Sequence, residues 1–148
     1  MNNFKNGRPL EILMVEDNPG DIRLTEECLK DFRVDNKLHV VQDGEEAIGF
    51  LRKEDRFSRV PRPDLILLDL NLPKKDGREV LADIKKDSDL RRIPVVVLTT
   101  SSAEEDILKA YDLQANCYIT KPVDLDAFCS VLNSVEEFWF GVAKIPRE

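Results

Sequence analysis

The sequence predicts an α/β protein built on an open parallel sheet with helices on both faces. Three observations predict it. Short apolar runs alternate with helical patterns five times along 148 residues, which is the signature of repeated strand–helix units. The strand runs are continuously apolar rather than alternating, as strands buried on both faces must be. The chain has one domain's length, and 42% hydrophobic against 34% charged residues gives a full core in a chain too mixed for disorder.

The elements follow in order. LEILMV (10–15) is the first strand, ended by EDNPGD. The next helix places Ile22, Thr25, Leu29 and Phe32 on one face. KLHVV (37–41) is the second strand, and Asp43 is an N-cap for the helix that opens DGEEAIGFLR. DLILLDL (64–70) is the third strand, GREVLADIKK the third helix and PVVVLTT the fourth strand. AEEDILKAYDL is the fourth helix, with Ile107, Ala110 and Tyr111 together. Ser102 is its best N-cap candidate, because Glu105 stands three residues on as in a capping box. CYIT is the fifth strand, and LDAFCSVLNSVEEFWFGV a long last helix, about 125–142. The connection KEDRFSRVPRP (53–63) is longer than usual and carries two prolines; it reads as a surface insertion, not a domain boundary. Residues 1–148 are therefore expected to form a single domain with no output domain after it.

Charge and composition exclude several classes. A net charge of -7 argues against nucleic acid, which wants a basic face. No apolar run approaches the roughly 18 residues of a membrane span, and MNNFKNGRP has no apolar signal region, so a cytoplasmic protein is expected. Cys28, Cys117 and Cys129 are odd in number and match no zinc spacing. They are expected to be reduced thiols of a cytosolic protein.

Open parallel sheets bind ligands outside the carboxyl ends of their strands. Strand one delivers Glu16 and Asp17 there, and strand three delivers Asp69 and then Asn71. Strand four delivers Thr99, Thr100, Ser101 and Ser102, and strand five Thr120, Lys121 and Pro122. Carboxylates gathered this way repel, by roughly 4 kcal/mol per pair at about 4 Å and an effective dielectric near 20, so the cluster needs a cation. An all-oxygen donor set suits Mg²⁺ better than zinc. A carboxylate beside the metal can act as a nucleophile and form an aspartyl phosphate, with the metal and a lysine neutralising the phosphoryl oxygens.

LMVEDN, LILLDLNLPKKDG, VVVLTT and YITKP resemble the four signatures of the response-regulator receiver domain of two-component signalling. Each alone is weak. All four occur in order, each at a strand end, over nearly the whole chain. The resemblance implies a flavodoxin-like (βα)5 fold with strand order 2-1-3-4-5. It implies that Asp69 accepts a phosphoryl group from a kinase histidine. Asp17 is then a direct Mg²⁺ ligand, Glu16 acts mainly through water, and the Asn71 carbonyl completes the metal site. Thr99 is the switch hydroxyl, Lys121 pairs with the phosphoryl oxygens, aimed by a cis Lys121–Pro122 bond, and Tyr118 is the aromatic switch. Thr100 and Ser101 shape water access and so the lifetime of the phosphorylated state. The readout face is the fourth helix, the fifth strand and the last helix. TTSSAEEDI, the 53–63 insertion and the aromatic last helix are most similar to stand-alone receivers that work with phytochrome-type histidine kinases in cyanobacteria.

Phe128, Val131, Leu132, Val135, Trp139 and Val142 lie on one stripe of the last helix at helical spacing. Phe138, Trp139 and Phe140 then run together past the usual end of the fold, more aromatic surface than one domain buries. A symmetric homodimer through this helix is expected, beside an unnamed downstream protein. Other readings stand next to these. Tyr118 also fits a half-buried packing residue, and Thr99 a simple strand terminator. An aspartyl-phosphate phosphatase would want Asp-x-Asp after the first strand and a cap domain. A binding-only receiver would keep the fold without the chemistry. A flavin protein would want a phosphate-cradling loop where EDNPGD stands.

Overall fold

The computed structural model describes residues 8–99, 117–120 and 125–137. Its sheet has five parallel strands: β1 (Leu10–Val15), β2 (Asn36–Val41), β3 (Leu65–Asp69), β4 (Val95–Thr99) and β5 (Cys117–Thr120). They lie in the order β2-β1-β3-β4-β5, as expected. Ile12 pairs with Leu38 on one side and Leu65 on the other, and Leu98 with Asp69 and Ile119. Every pairing is parallel, so the chain must cross over between strands, and helices occupy the crossovers from β1 to β2, β2 to β3 and β3 to β4.

Two cores result. Leu13, Val15, Ile66 and Leu68 face α2 (Gly44–Arg52) and α3 (Gly77–Lys86), meeting Ala47, Phe50, Val80, Leu81 and Ile84. Leu10, Ile12, Met14, Leu65 and Leu67 face the other side. There Cys28 and Leu29 of α1 (Pro19–Leu29) join Phe128, Leu132 and Val135 of the C-terminal helix (Leu125–Val135). Successive strand residues point to opposite faces, which is why β1 and β3 read as unbroken apolar runs.

Local chemistry sets the helix starts. Asn18 Oδ1 accepts from Asp21 N–H at 3.1 Å, with Pro19 at the first helical position of α1. Asp43 Oδ1 accepts from Glu46 N–H at 2.8 Å, the predicted cap of α2. Asp76 N–H donates to Glu79 Oε1 at 3.1 Å at the head of α3.

Some expectations are corrected. The helix of residues 22–32 stops at Leu29, where Lys30, Asp31 and Phe32 bond back three residues to Glu27, Cys28 and Leu29. Phe32 still reaches the core, from the turn rather than the helix. The 53–63 insertion is on the surface but anchored. A short 3₁₀ turn, Asp55–Phe57, sets Phe57 5.5 Å from Phe50, with the Arg56 guanidinium 4.5 Å over the Phe57 ring.

The larger correction concerns the cysteines. Cys28 and Cys129 are not reduced thiols; they form a disulfide between α1 and the C-terminal helix, their Cα atoms 5.1 Å apart. Both lie on the faces those two helices turn toward each other. A contact between residues 101 positions apart leaves no trace in cysteine spacing. Phe128, Leu132 and Val135 are buried as the stripe predicts. The fourth helix, Ser102, Thr100, Ser101, the Lys121–Pro122 bond and Phe138, Trp139, Phe140 and Val142 lie outside the described residues. No helix among the described residues is long and apolar enough to cross a membrane.

Candidate functional site

Sheet register builds the site. Val15 pairs with Leu68, so the next residue of each strand, Glu16 and Asp69, leaves the sheet side by side. Glu16 N–H is held by Val41 O at 3.0 Å, and Leu70 N–H by Leu98 O at 3.1 Å, which fixes both strand ends. Carboxylate oxygens of Glu16, Asp17 and Asp69 all lie within 4.8 Å of one another. Glu16 is 0% and Asp69 4% exposed, whereas Asp17 faces solvent. The cluster therefore has a buried floor and one open side.

Backbone donors orient these carboxylates. Asn71 N–H donates to Asp69 Oδ1 at 3.0 Å, and Asn18 N–H to Glu16 Oε2 at 3.3 Å. Asn71, whose carbonyl the resemblance assigns to a metal site, meets Asp69 here through its N–H. Asp69 pairs with Leu98, so Thr99 stands one residue beyond it on β4, and Thr99 pairs with Thr120 on β5. Tyr118 pairs with Val97 two positions earlier. Lys121 follows β5 directly, outside the described residues.

Two glycines that the sequence reading passed over shape the loop after β3. Gly77 N–H donates to Leu70 O at 3.1 Å, and a Cβ on Gly77 would lie 2.6 Å from Leu70 Cα and closer still to the Asp69 carbonyl. A Cβ on Gly44 would meet the Lys75 carbonyl and sit 2.6 Å from Lys75 Cβ. Both glycines follow an aspartate at a helix start, in DGEEA and DGREV, and that repeated pair was the available signal. The lysines of the same loop point elsewhere. Lys74 reaches Asp43 at 3.7 Å and Lys75 reaches Asp83 at 2.8 Å. The hydrogen bond that Lys75 donates to the Asp83 carboxylate pushes its own pKa up.

At 4.8 Å and an effective dielectric near 20, each carboxylate pair repels by about 3 kcal/mol. A hard divalent cation relieves this, and the all-oxygen donor set fits one. No described His or Cys joins the cluster, so zinc has no ligand preference to satisfy here.

The response regulator receiver domain model matches residues 12–133. Response regulator Rcp1 of Synechocystis sp. is 49% identical over 138 residues, covering 93% of this chain and 94% of Rcp1. The crystal structure of the phosphorylated cyanobacterial phytochrome response regulator RcpA is similar with a TM-score of 0.85 at 52% identity, over 94% of this chain and 99% of RcpA. The Mn²⁺-bound form of Rcp1 gives a TM-score of 0.84 at 49% identity, over 94% of this chain and 100% of that one.

Proposed function

The chain belongs to the response regulator receiver domain family, and from that premise we propose that it accepts a phosphoryl group on Asp69 from a histidine kinase of the phytochrome type. The observation that carries this is the buried carboxylate floor, with Asp69 at its strand end and Oδ1 set by Asn71 N–H. The likeness to RcpA and Rcp1 supports the phytochrome link.

Glu16, Asp17, Asp69 and the Asn71 carbonyl would hold a divalent cation, Mg²⁺ in our reading, with Asp17 as a direct ligand and Glu16 acting mainly through water. When bound, the cation offsets the cluster's charge and that of phosphoryl oxygens. An Asp69 oxygen attacks the donor phosphorus in line. The new O–P bond forms as the P–N bond to the kinase histidine breaks, and the ring nitrogen takes up a proton. Thr99 and Lys121 engage the phosphoryl oxygens, and Tyr118 fills the space that the Thr99 loop vacates. Thr100 and Ser101 govern water access. Phosphorylation adds about 1.5 to 2 negative charges. Two or three charge-assisted hydrogen bonds, at about 1.5–3 kcal/mol each, match the roughly 5.5 kcal/mol needed to invert a two-state element.

The chain catalyses only its own phosphorylation and dephosphorylation, works in the cytoplasm, and signals through a protein contact. That contact includes a homodimer through Phe138, Trp139 and Phe140. Intact mass spectrometry after acetyl phosphate and Mg²⁺ tests the chemistry. A gain of about 80 Da that requires the metal and disappears in Asp69→Asn is expected. An adduct that survives in Asp69→Asn refutes the assignment.

A further inference from the structure

The Cys28–Cys129 bond closes a loop of 101 residues that contains β2 to β5, and with them Asp69 and Thr99. It is not the only tie between the two helices. Glu136, just past the C-terminal helix and 4% exposed, accepts from Val34 N–H at 2.9 Å. Arg33 pairs with Glu137 at 3.2 Å. Phe128, Leu132 and Val135 share a core with Leu29, Phe32 and Val34. These contacts hold the seam together without the sulfur bond, so opening that bond does not require unfolding.

The position of the bond gives it consequences. α1 follows directly on Asp17 and Asn18, the acidic side of the site. The C-terminal helix follows β5 and Lys121, the phosphoryl side. A covalent link between the two helices ties both sides of the site together away from the chemistry. A receiver draws phosphoryl groups from an ATP-fed kinase, and the inference rests on that reading. Such compartments are kept reducing, and disulfides in them are transient or redox-sensing.

We propose that Cys28 and Cys129 form a reversible thiol–disulfide site that takes small thiols and dithiol reductants as partners. Its oxidation locks the C-terminal helix to α1; its reduction frees that helix to respond to Asp69. Cys28 is 1% exposed and Cys129 is partly exposed, so an incoming thiolate attacks Cys129 Sγ. The S–S bond breaks and Cys28 leaves as a thiolate that takes a proton. A second thiol of the reductant attacks the mixed disulfide and releases Cys129 as a thiol. Two electrons and two protons have passed from the reductant, which ends as a disulfide. Oxidised glutathione drives the reverse reaction and is itself reduced to two thiols.

The test uses the full chain, oxidised with oxidised glutathione or opened with reduced glutathione, with Cys129→Ser alongside. Non-reducing peptide mass spectrometry identifies the Cys28–Cys129 cross-link. Hydrogen exchange over residues 125–137 is followed with and without acetyl phosphate and Mg²⁺. Reduced glutathione should open the bond with the fold intact and raise exchange over 125–137 by about threefold or more, and reoxidation should reverse it. Cys129→Ser should match the reduced state in both conditions. Resistance to glutathione, or opening that leaves 125–137 unchanged, overturns the proposal. The absence of a phosphoryl adduct in both redox states counts against the phosphoacceptor function instead, and the redox site is then judged on the exchange change without acetyl phosphate.

Discussion

Asp17→Asn should stabilise the metal-free protein and destabilise the metal-loaded one relative to wild type. Asp17 lies within 4.8 Å of two buried carboxylates, Glu16 and Asp69. Each pair costs about 3 kcal/mol at an effective dielectric near 20, and about 1 kcal/mol at the value of water. Asp17 faces solvent, so the lower figure governs, and salt reduces it further. Removing one charge while keeping the shape should therefore contribute about 1–2 kcal/mol of stability in chelator. For a domain of this size that is a rise in Tm of roughly 2–8 °C. Excess Mg²⁺ or Mn²⁺ reverses the order, because a ligand at 100 times its Kd stabilises the protein it binds by about 2.7 kcal/mol. Calorimetry of both proteins in EDTA and in excess Mg²⁺, at low and high salt, measures all of this. If Asp17→Asn melts below wild type in EDTA, or wild type ignores the metal, the electrostatic account of the site is wrong.

Three further outcomes are expected. Gly77→Ala drives a methyl into the Leu70 and Asp69 backbone, which cannot rotate away, and should cost about 1–3 kcal/mol in urea unfolding. The backbone N–H groups of Leu90 and Asp89 hold the Asp87 carboxyl below its usual range. Its contribution is thus complete above the ordinary carboxylate pKa and is lost as pH falls through the lowered value; an NMR titration should show that low midpoint. Replacing Phe138 and Phe140 together with Ser should convert a dimer to a monomer in light scattering, and a wild type that is already monomeric sinks the dimer proposal.

Legibility in the sequence followed physical range. Strand runs, the Asp43 cap and the acids at strand ends are local patterns, and all stand where the residues placed them. The end of α1 was misjudged because Phe32 continues the apolar spacing while the backbone has already tightened into a turn. Gly44 and Gly77 were missed because their need is close approach by distant backbone, which composition does not encode. The Cys28–Cys129 bond was misread for the same reason: helix faces that meet only in three dimensions decide it. Lys74 and Lys75 belong here too, since their acidic partners are Asp43, the cap of α2, and Asp83, within α3.

The scattering of the carboxylates along the chain carries a consequence for the newborn protein. Glu16 and Asp17 close one strand and Asp69 another, and those strands meet only after β2 and its helices have been laid across the sheet. Parallel pairing is non-local and late, since loop closure must come before the contacts that reward it. A chain still emerging from the ribosome, or stalled before β3 has paired with β1, holds Glu16 and Asp17 apart from Asp69. On the function proposed above, such a chain offers a kinase no assembled site, with no separate inspection step.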